Sequence, residues 1–176
     1  MSVLFAAIGE IREGIAPWES ELRARIVAEA RSWIRTPYAM GQMQKGMGCD
    51  CGTLIIAVLN ACGISCDERI EPLGADWFHH RKDEMYQRKA FKYARKTTEA
   101  IAYPTLAILP GNIVLTRCGE SRIYNHGGIV TVWPKLVHCA RYGVQEDDAT
   151  QHDFWSFKKI AVFDPIAPLK EKVARG

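Results

Sequence analysis

Cys51, His126 and His138 are residue types suited to one kind of chemistry. A thiolate attacks an acyl carbon, an imidazole takes and returns the proton, and a further polar group orients that imidazole. Cys51 follows the glycine-bearing run Gly46-Met47-Gly48-Cys49-Asp50 and precedes an apolar stretch ending at Ala61. A thiol at a helix N-terminus is expected to gain acidity from the unpaired N–H groups and the helix dipole. The same N–H groups are placed to hold an oxyanion. Position alone does not separate Cys51 from a small buried hydrophobe, which is what most free cysteines are.

His126 lies in Tyr-Asn-His-Gly-Gly-Ile-Val and His138 in Leu-Val-His-Cys-Ala. Two antiparallel strands joined near Trp133-Pro134 would bring both rings to one face, so that one acts as base and the other fixes its tautomer. Taken singly, each also reads as a half-buried histidine satisfied by backbone. His79, His80 and His152 sit among polar residues and read as surface. No C-x-x-C pair occurs among the six cysteines. Cys62 and Cys66 with His79 and His80 match no regular zinc spacing, so the expectation is no metal and no cofactor. Cys49 and Cys51 are too close in sequence for an unstrained disulfide.

The elements that must position these groups follow from periodicity. Residues 21–34 read as an amphipathic helix ended by Thr36-Pro37. A glycine-rich loop leads to Asp50, placed as an N-cap, and to a buried helix over 51–61 with Gly63 as its stop. Residues 75–96 read as a further helix. It is strongly basic between Arg81 and Lys96, which suggests a solvated face in preference to a polyanion contact. Four β-rich runs follow, over 112–117, 124–133, 135–141 and 157–163. Helices first and strands second argue for an α+β class in one domain spanning 1–176.

Composition sets the outer bounds. The 176 residues are 48% hydrophobic and 24% charged with a net charge of +3, so neither disorder nor a nucleic-acid partner is expected. The longest uncharged stretches, 51–66 and 100–116, fall short of the roughly 20 residues of a membrane span. The apolar run Val3 to Ile8 has no basic residues before it, so the expectation is synthesis in the cytoplasm without a signal peptide.

A joint pattern adds to this reading. It comprises Ala-Arg-Ser-Trp-Ile-Arg-Thr-Pro-Tyr (30–38), Lys-Gly-Met-Gly-Cys-Asp-Cys-Gly-Thr-Leu-Ile (45–55), Leu-Pro-Gly-Asn-Ile-Val (109–114), His-Gly-Gly-Ile-Val (126–130), and Val137-His138 with Gly143-Val144. Together these resemble the NlpC/P60 family of cysteine peptidases over about residues 22–145. The resemblance implies a papain-like α+β fold with N-terminal helices packed on a small antiparallel sheet. It implies Cys51 as nucleophile, His126 as general base, His138 as orienting residue, Tyr38 as an oxyanion or substrate contact, and Asp50 as the cap of the nucleophile turn.

The implied substrate is the peptide stem of bacterial peptidoglycan, cut between γ-D-glutamate and the diamino acid. Cys49-Asp50-Cys51 and Ala75-Asp76-Trp77 look most like the phage and prophage branch, which implies tail proteins as partners and a virion-associated enzyme acting on the cell wall. Gly52-Thr53, Arg35 and Asn112 depart from the family's usual residues. Two other readings stand beside this one: a wall-binding or structural tail component without turnover, and an amidase or acyltransferase on the same fold.

Overall fold

The computed structural model describes residues 15–64, 66, 83–103, 105–151 and 158–175. Helix α1 (Pro17–Ser32) begins with proline in its first turn, where the missing N–H costs nothing, and carries Glu19 near its positive end. It buries Arg23, Ile26 and Ala30 and stops ahead of Thr36-Pro37. Arg35 adopts φ 76, a left-handed backbone that favours glycine. A small hairpin, β1 (Met43–Gln44) and β2 (Gly48–Cys49), leads into α2 (Cys51–Ala61). Then come α3 (Met85–Tyr93), β3 (Arg95–Ile101), β4 (Ile113–Thr116), β5 (His126–Val132), β6 (Lys135–Ala140), β7 (Gly143–Asp148), β8 (Lys159–Asp164) and α4 (Ala167–Ala174).

Strands β3 to β8 form one antiparallel sheet in the order β3-β8-β4-β5-β6-β7. The fold is therefore α+β, with helices leading and a sheet following. Every residue of β4 is buried, because the middle of the sheet is covered on both faces. Ile113, Leu115, Ile129, Val137 and Phe163 face Ile26, Leu54, Ile55 and Val58 of α1 and α2. Val114, Val130, Leu136 and Val162 face a smaller cluster with Ala102 and Ile108. Asn112 closes the turn before β4 by accepting the Leu109 N–H at 3.0 Å.

Arg23 ties α1 to the sheet. Its guanidinium lies 2.7 Å from both Glu19 Oε1 and Asp164 Oδ2 and donates to the Pro110 carbonyl at 3.0 Å. No described helix is long and apolar enough to cross a membrane.

Two sequence expectations are corrected. The helix expected over 75–96 ends at Tyr93, and residues 95–101 form the edge strand β3, paired with β8. Its side chains alternate between exposed and half-buried, a period-2 pattern hidden in Arg-Lys-Thr-Thr-Glu-Ala-Ile by charge. Residues 75–82 lie outside the described residues, and so do His79, His80, His152 and Ala75-Asp76-Trp77. Strand β7 was not among the four expected runs, because five of its six residues after the turn are polar or small.

Candidate active site

Cys51 is the first residue of α2, and its environment is built by the cap before it. Asp50 is extended (φ −114, ψ 179), and its Oδ1 accepts the Gly52 and Thr53 N–H groups at 2.9 Å each. Thr53 Oγ1 reciprocates by accepting the Asp50 N–H at 2.8 Å, completing a capping box. Asp50 Oδ2 also takes the Gly41 N–H at 2.7 Å, which fastens the glycine-rich loop to the helix start. Thr53, one of the departures from the family pattern, is therefore half of the cap.

Cys51 as a whole is 8% exposed. Its Sγ lies 3.3 Å from the Tyr86 hydroxyl, and the backbone N–H groups of Gly127 and Gly52 act on it electrostatically. Gly127 directly follows His126, so the sulfur reaches the start of β5. Strand β5 pairs with β4 from His126 but with β6 only from Gly128, leaving the β6 side open at that point. A β-carbon at Gly127 would come 2.9 Å from Leu115 Cδ2 and 3.0 Å from Ile55 Cδ1, so glycine lets α2 close on the sheet there.

Burial pushes the Cys51 thiol up to about 11, and the Asp50 carboxylate adds to this. Tyr86, Gly127 and Gly52 offset only part of the rise. The expected acidification at a helix N-terminus is thus reversed in the resting site. The cap that builds the helix start also places a negative charge at its positive end.

His126 and His138 are both buried, at 5% and 0% exposure. His126 Nε2 lies 2.9 Å from His138 Nδ1, with the ring planes at 89°. His138 Nε2 lies 2.9 Å from Asp147 Oδ2, and that oxygen also accepts from Gln145 Nε2 at 2.6 Å. An ionised carboxylate only accepts, so His138 carries its proton on Nε2. A neutral His138 then offers Nδ1 as acceptor, which places the proton of His126 on Nε2. The lone pair of His126 is left on Nδ1, and that ring is set up as a base.

Tyr38 pairs as an isolated bridge with Cys49 and is 40% exposed. Burial raises its phenol, and so do the charges of Asp50 and Cys51, which places it within electrostatic reach of the sulfur. Cys49 and Cys139 are buried free thiols beside the site, Cys139 donating to the Cys49 carbonyl at 3.2 Å. Cys62 and Cys66 are buried free thiols as well. Among the described residues no three His, Cys, Asp or Glu side chains are grouped so as to hold a metal ion.

Sequence reasoning missed Asp147 and Tyr86. Asp147 and Gln145 share one face of β7 by simple alternation, and Gln145 stands opposite His138. Recognising β7 as a strand would have found them. Nothing local to Tyr86 marks it, because its approach to Cys51 depends on where α3 docks.

The fold is shared with solved NlpC/P60 structures. The chain matches the NlpC/p60 domain of peptidoglycan hydrolase SagA with a TM-score of 0.51 at 20% identity, covering 80% of this chain and 97% of that one. NlpC2 from Trichomonas vaginalis gives 0.56 at 13% identity, covering 82% of this chain and 45% of that one. A protein similar to lipoprotein of the NLP/P60 family from Staphylococcus aureus gives 0.52 at 16%, covering 88% and 44%. This chain thus spans less than half the length of the latter two. At such identities the likeness is one of fold. No family model matches the sequence, and no curated protein matches it.

Proposed function

We propose that the protein is a cysteine hydrolase of NlpC/P60 type that cuts the peptide stems of bacterial peptidoglycan. The observation that carries this reading is the His126–His138–Asp147 chain, whose bonding leaves a basic nitrogen on a ring one residue from Gly127, whose backbone N–H acts on the Cys51 sulfur. The fold likeness, which includes a domain of a peptidoglycan hydrolase, supports it.

In this reading His126 Nδ1 takes the thiol proton and Sγ attacks the stem carbonyl. His126 returns the proton to the departing amine, and a water activated by the same ring then hydrolyses the thioester. His138 holds the tautomer of His126, and Tyr38 contacts the substrate. The scissile bond, between γ-D-glutamate and the diamino acid, and an association with phage tails follow from the sequence resemblance alone.

A second reading has an observation of its own. A buried Cys51 whose thiol is raised to about 11 also suits a wall-binding component that has lost turnover. One experiment separates the two: mass spectrometry of purified peptidoglycan incubated with the wild type and with Cys51→Ala. The hydrolase reading expects new stem fragments from the wild type and none from the variant. Fragments from both remove Cys51 as nucleophile, and fragments from neither favour the binding protein.

A further inference from the structure

The N–H groups at the start of a helix are where an anion beside Cys51 would ordinarily be held. Here Asp50 Oδ1 already accepts from Gly52 and Thr53 at 2.9 Å each and adds a negative charge. Those two N–H groups are taken, so a donor from another element would serve an oxyanion formed at Cys51. Tyr86 presents one, with its hydroxyl 3.3 Å from Sγ. The ring occupies space that glycine at position 52 leaves open: a β-carbon there would lie 3.1 Å from Tyr86 Cε1 and 3.2 Å from its hydroxyl. Glu84, two residues earlier, accepts the Tyr124 N–H at 2.8 Å and Arg117 Nη2 at 3.0 Å, which fixes the start of α3 against the approach to β5. Burial, then the charge on Cys51 and its hydrogen bond, then Asp50, hold the Tyr86 phenol well above its ordinary range, so it stays protonated and remains a donor.

We infer that Tyr86 is a catalytic residue whose hydroxyl donates to the oxyanion formed when Cys51 attacks an acyl carbon. This rests on Cys51 being the nucleophile proposed above, but not on the identity of the substrate. In the step, the S–C bond forms as the carbonyl π pair moves onto oxygen. Tyr86 donates a hydrogen bond to that oxygen and keeps its proton. When the pair returns, the leaving group departs: an amine with the proton held by His126, or a phenolate without one. A useful donor lies about 2.7–3.1 Å from the oxyanion. A hydroxyl already touching the sulfur is one small shift from an oxygen on the carbon that sulfur attacks.

The test compares two reagents on Cys51 in the wild type and Tyr86→Phe, with circular dichroism confirming that both are folded. p-Nitrophenyl acetate acylates through an oxyanion, whereas iodoacetamide alkylates by displacement without one. The expected result is acylation about 100-fold slower in Tyr86→Phe, the usual order for losing one oxyanion donor, with alkylation changed by less than about threefold. Gly52→Ala, whose new β-carbon presses on the tyrosine, should lower the ratio of acylation to alkylation in the same direction. Acylation within about threefold of the wild type, alkylation falling in step with acylation, or a wild-type Cys51 that p-nitrophenyl acetate does not acylate each overturns the role. A wild type inert toward peptidoglycan that still shows the split loses its proposed substrate and keeps Tyr86.

Discussion

Gly128 stands directly opposite His138 across the β5–β6 pair, and the absence of a side chain there makes room for the two-histidine contact. A β-carbon at 128 would lie 2.6 Å from Leu136 Cδ1, 2.9 Å from the Val137 carbonyl oxygen and 3.1 Å from His138 Cβ. One of those neighbours is backbone and cannot swing aside. Gly128→Ala is therefore expected to cost about 1–3 kcal/mol, the usual range for overpacking. It should also move the His138 ring off His126, so turnover measured well below the melting temperature drops too. Thermal unfolding and stem cleavage measured together check this. A variant that melts and cuts like the wild type removes the steric argument.

The tautomer chain makes Asp147 testable. Asparagine at 147 can turn its amide NH2 toward His138 Nε2, which favours the proton on His138 Nδ1 and then on His126 Nδ1. The base would be blocked without any change in shape. Asp147→Asn is expected to lower kcat about 10- to 100-fold, as loss of an orienting partner commonly does, with KM little changed. Steady-state kinetics on a soluble muropeptide decide it, and a kcat within twofold of wild type would falsify the chain.

The pH dependence of Cys51 reactivity carries a definite sign. Burial favours the neutral thiol, so a Cys51 ionising alone would gain thiolate only as pH climbs toward about 11. On the proposed mechanism, transfer of its proton to His126 produces thiolate at lower pH, and the rate then levels off well before that value. Site-resolved alkylation by iodoacetamide should show this early plateau in the wild type. In His126→Ala the rate should keep climbing toward about 11. Matching profiles for the two proteins would mean that His126 does not receive the proton.

How far the sequence could be read depended on how local each signal was. The helix at 51–61, its Asp50 cap and the α+β order all rest on contacts within a few residues, and each was legible. Edge strand β3 was not, because two of its three half-buried positions, Lys96 and Thr98, are polar and the preceding basic helix runs straight into it. The acidity of Cys51 was misread for a different reason. A helix terminus argues for a lowered thiol, but burial and the charge of the capping carboxylate outweigh it, and burial is a property of the whole fold. Tyr86 and Asp147 enter the site from elements separated from Cys51 by 35 and from His138 by 9 positions, and only docking and register bring them in.

Away from the site, Arg23 offers a stability test with a pH signature. Its side chain is 4% exposed between those of Glu19 and Asp164, at 1% and 9%. Burial alone would raise the Glu19 carboxyl, but its bonds to Lys170 and Arg23 outweigh this and hold it below the usual carboxylate range. A carboxylate lowered in the folded state stabilises above its unfolded value of about 4 and loses that contribution as pH falls through the folded one. Arg23→Met removes one of the two cations and leaves Asp164 buried without its guanidinium. The expected cost at pH 7 is about 3–5 kcal/mol, as for breaking a buried ion pair from one side. With burial less opposed, the Glu19 carboxyl rises, so acidification from pH 7 to about pH 4 should weaken the variant less than the wild type. Urea unfolding at the two pH values measures both effects. An equal loss on acidification in the two proteins would show that Arg23 does not set the Glu19 charge.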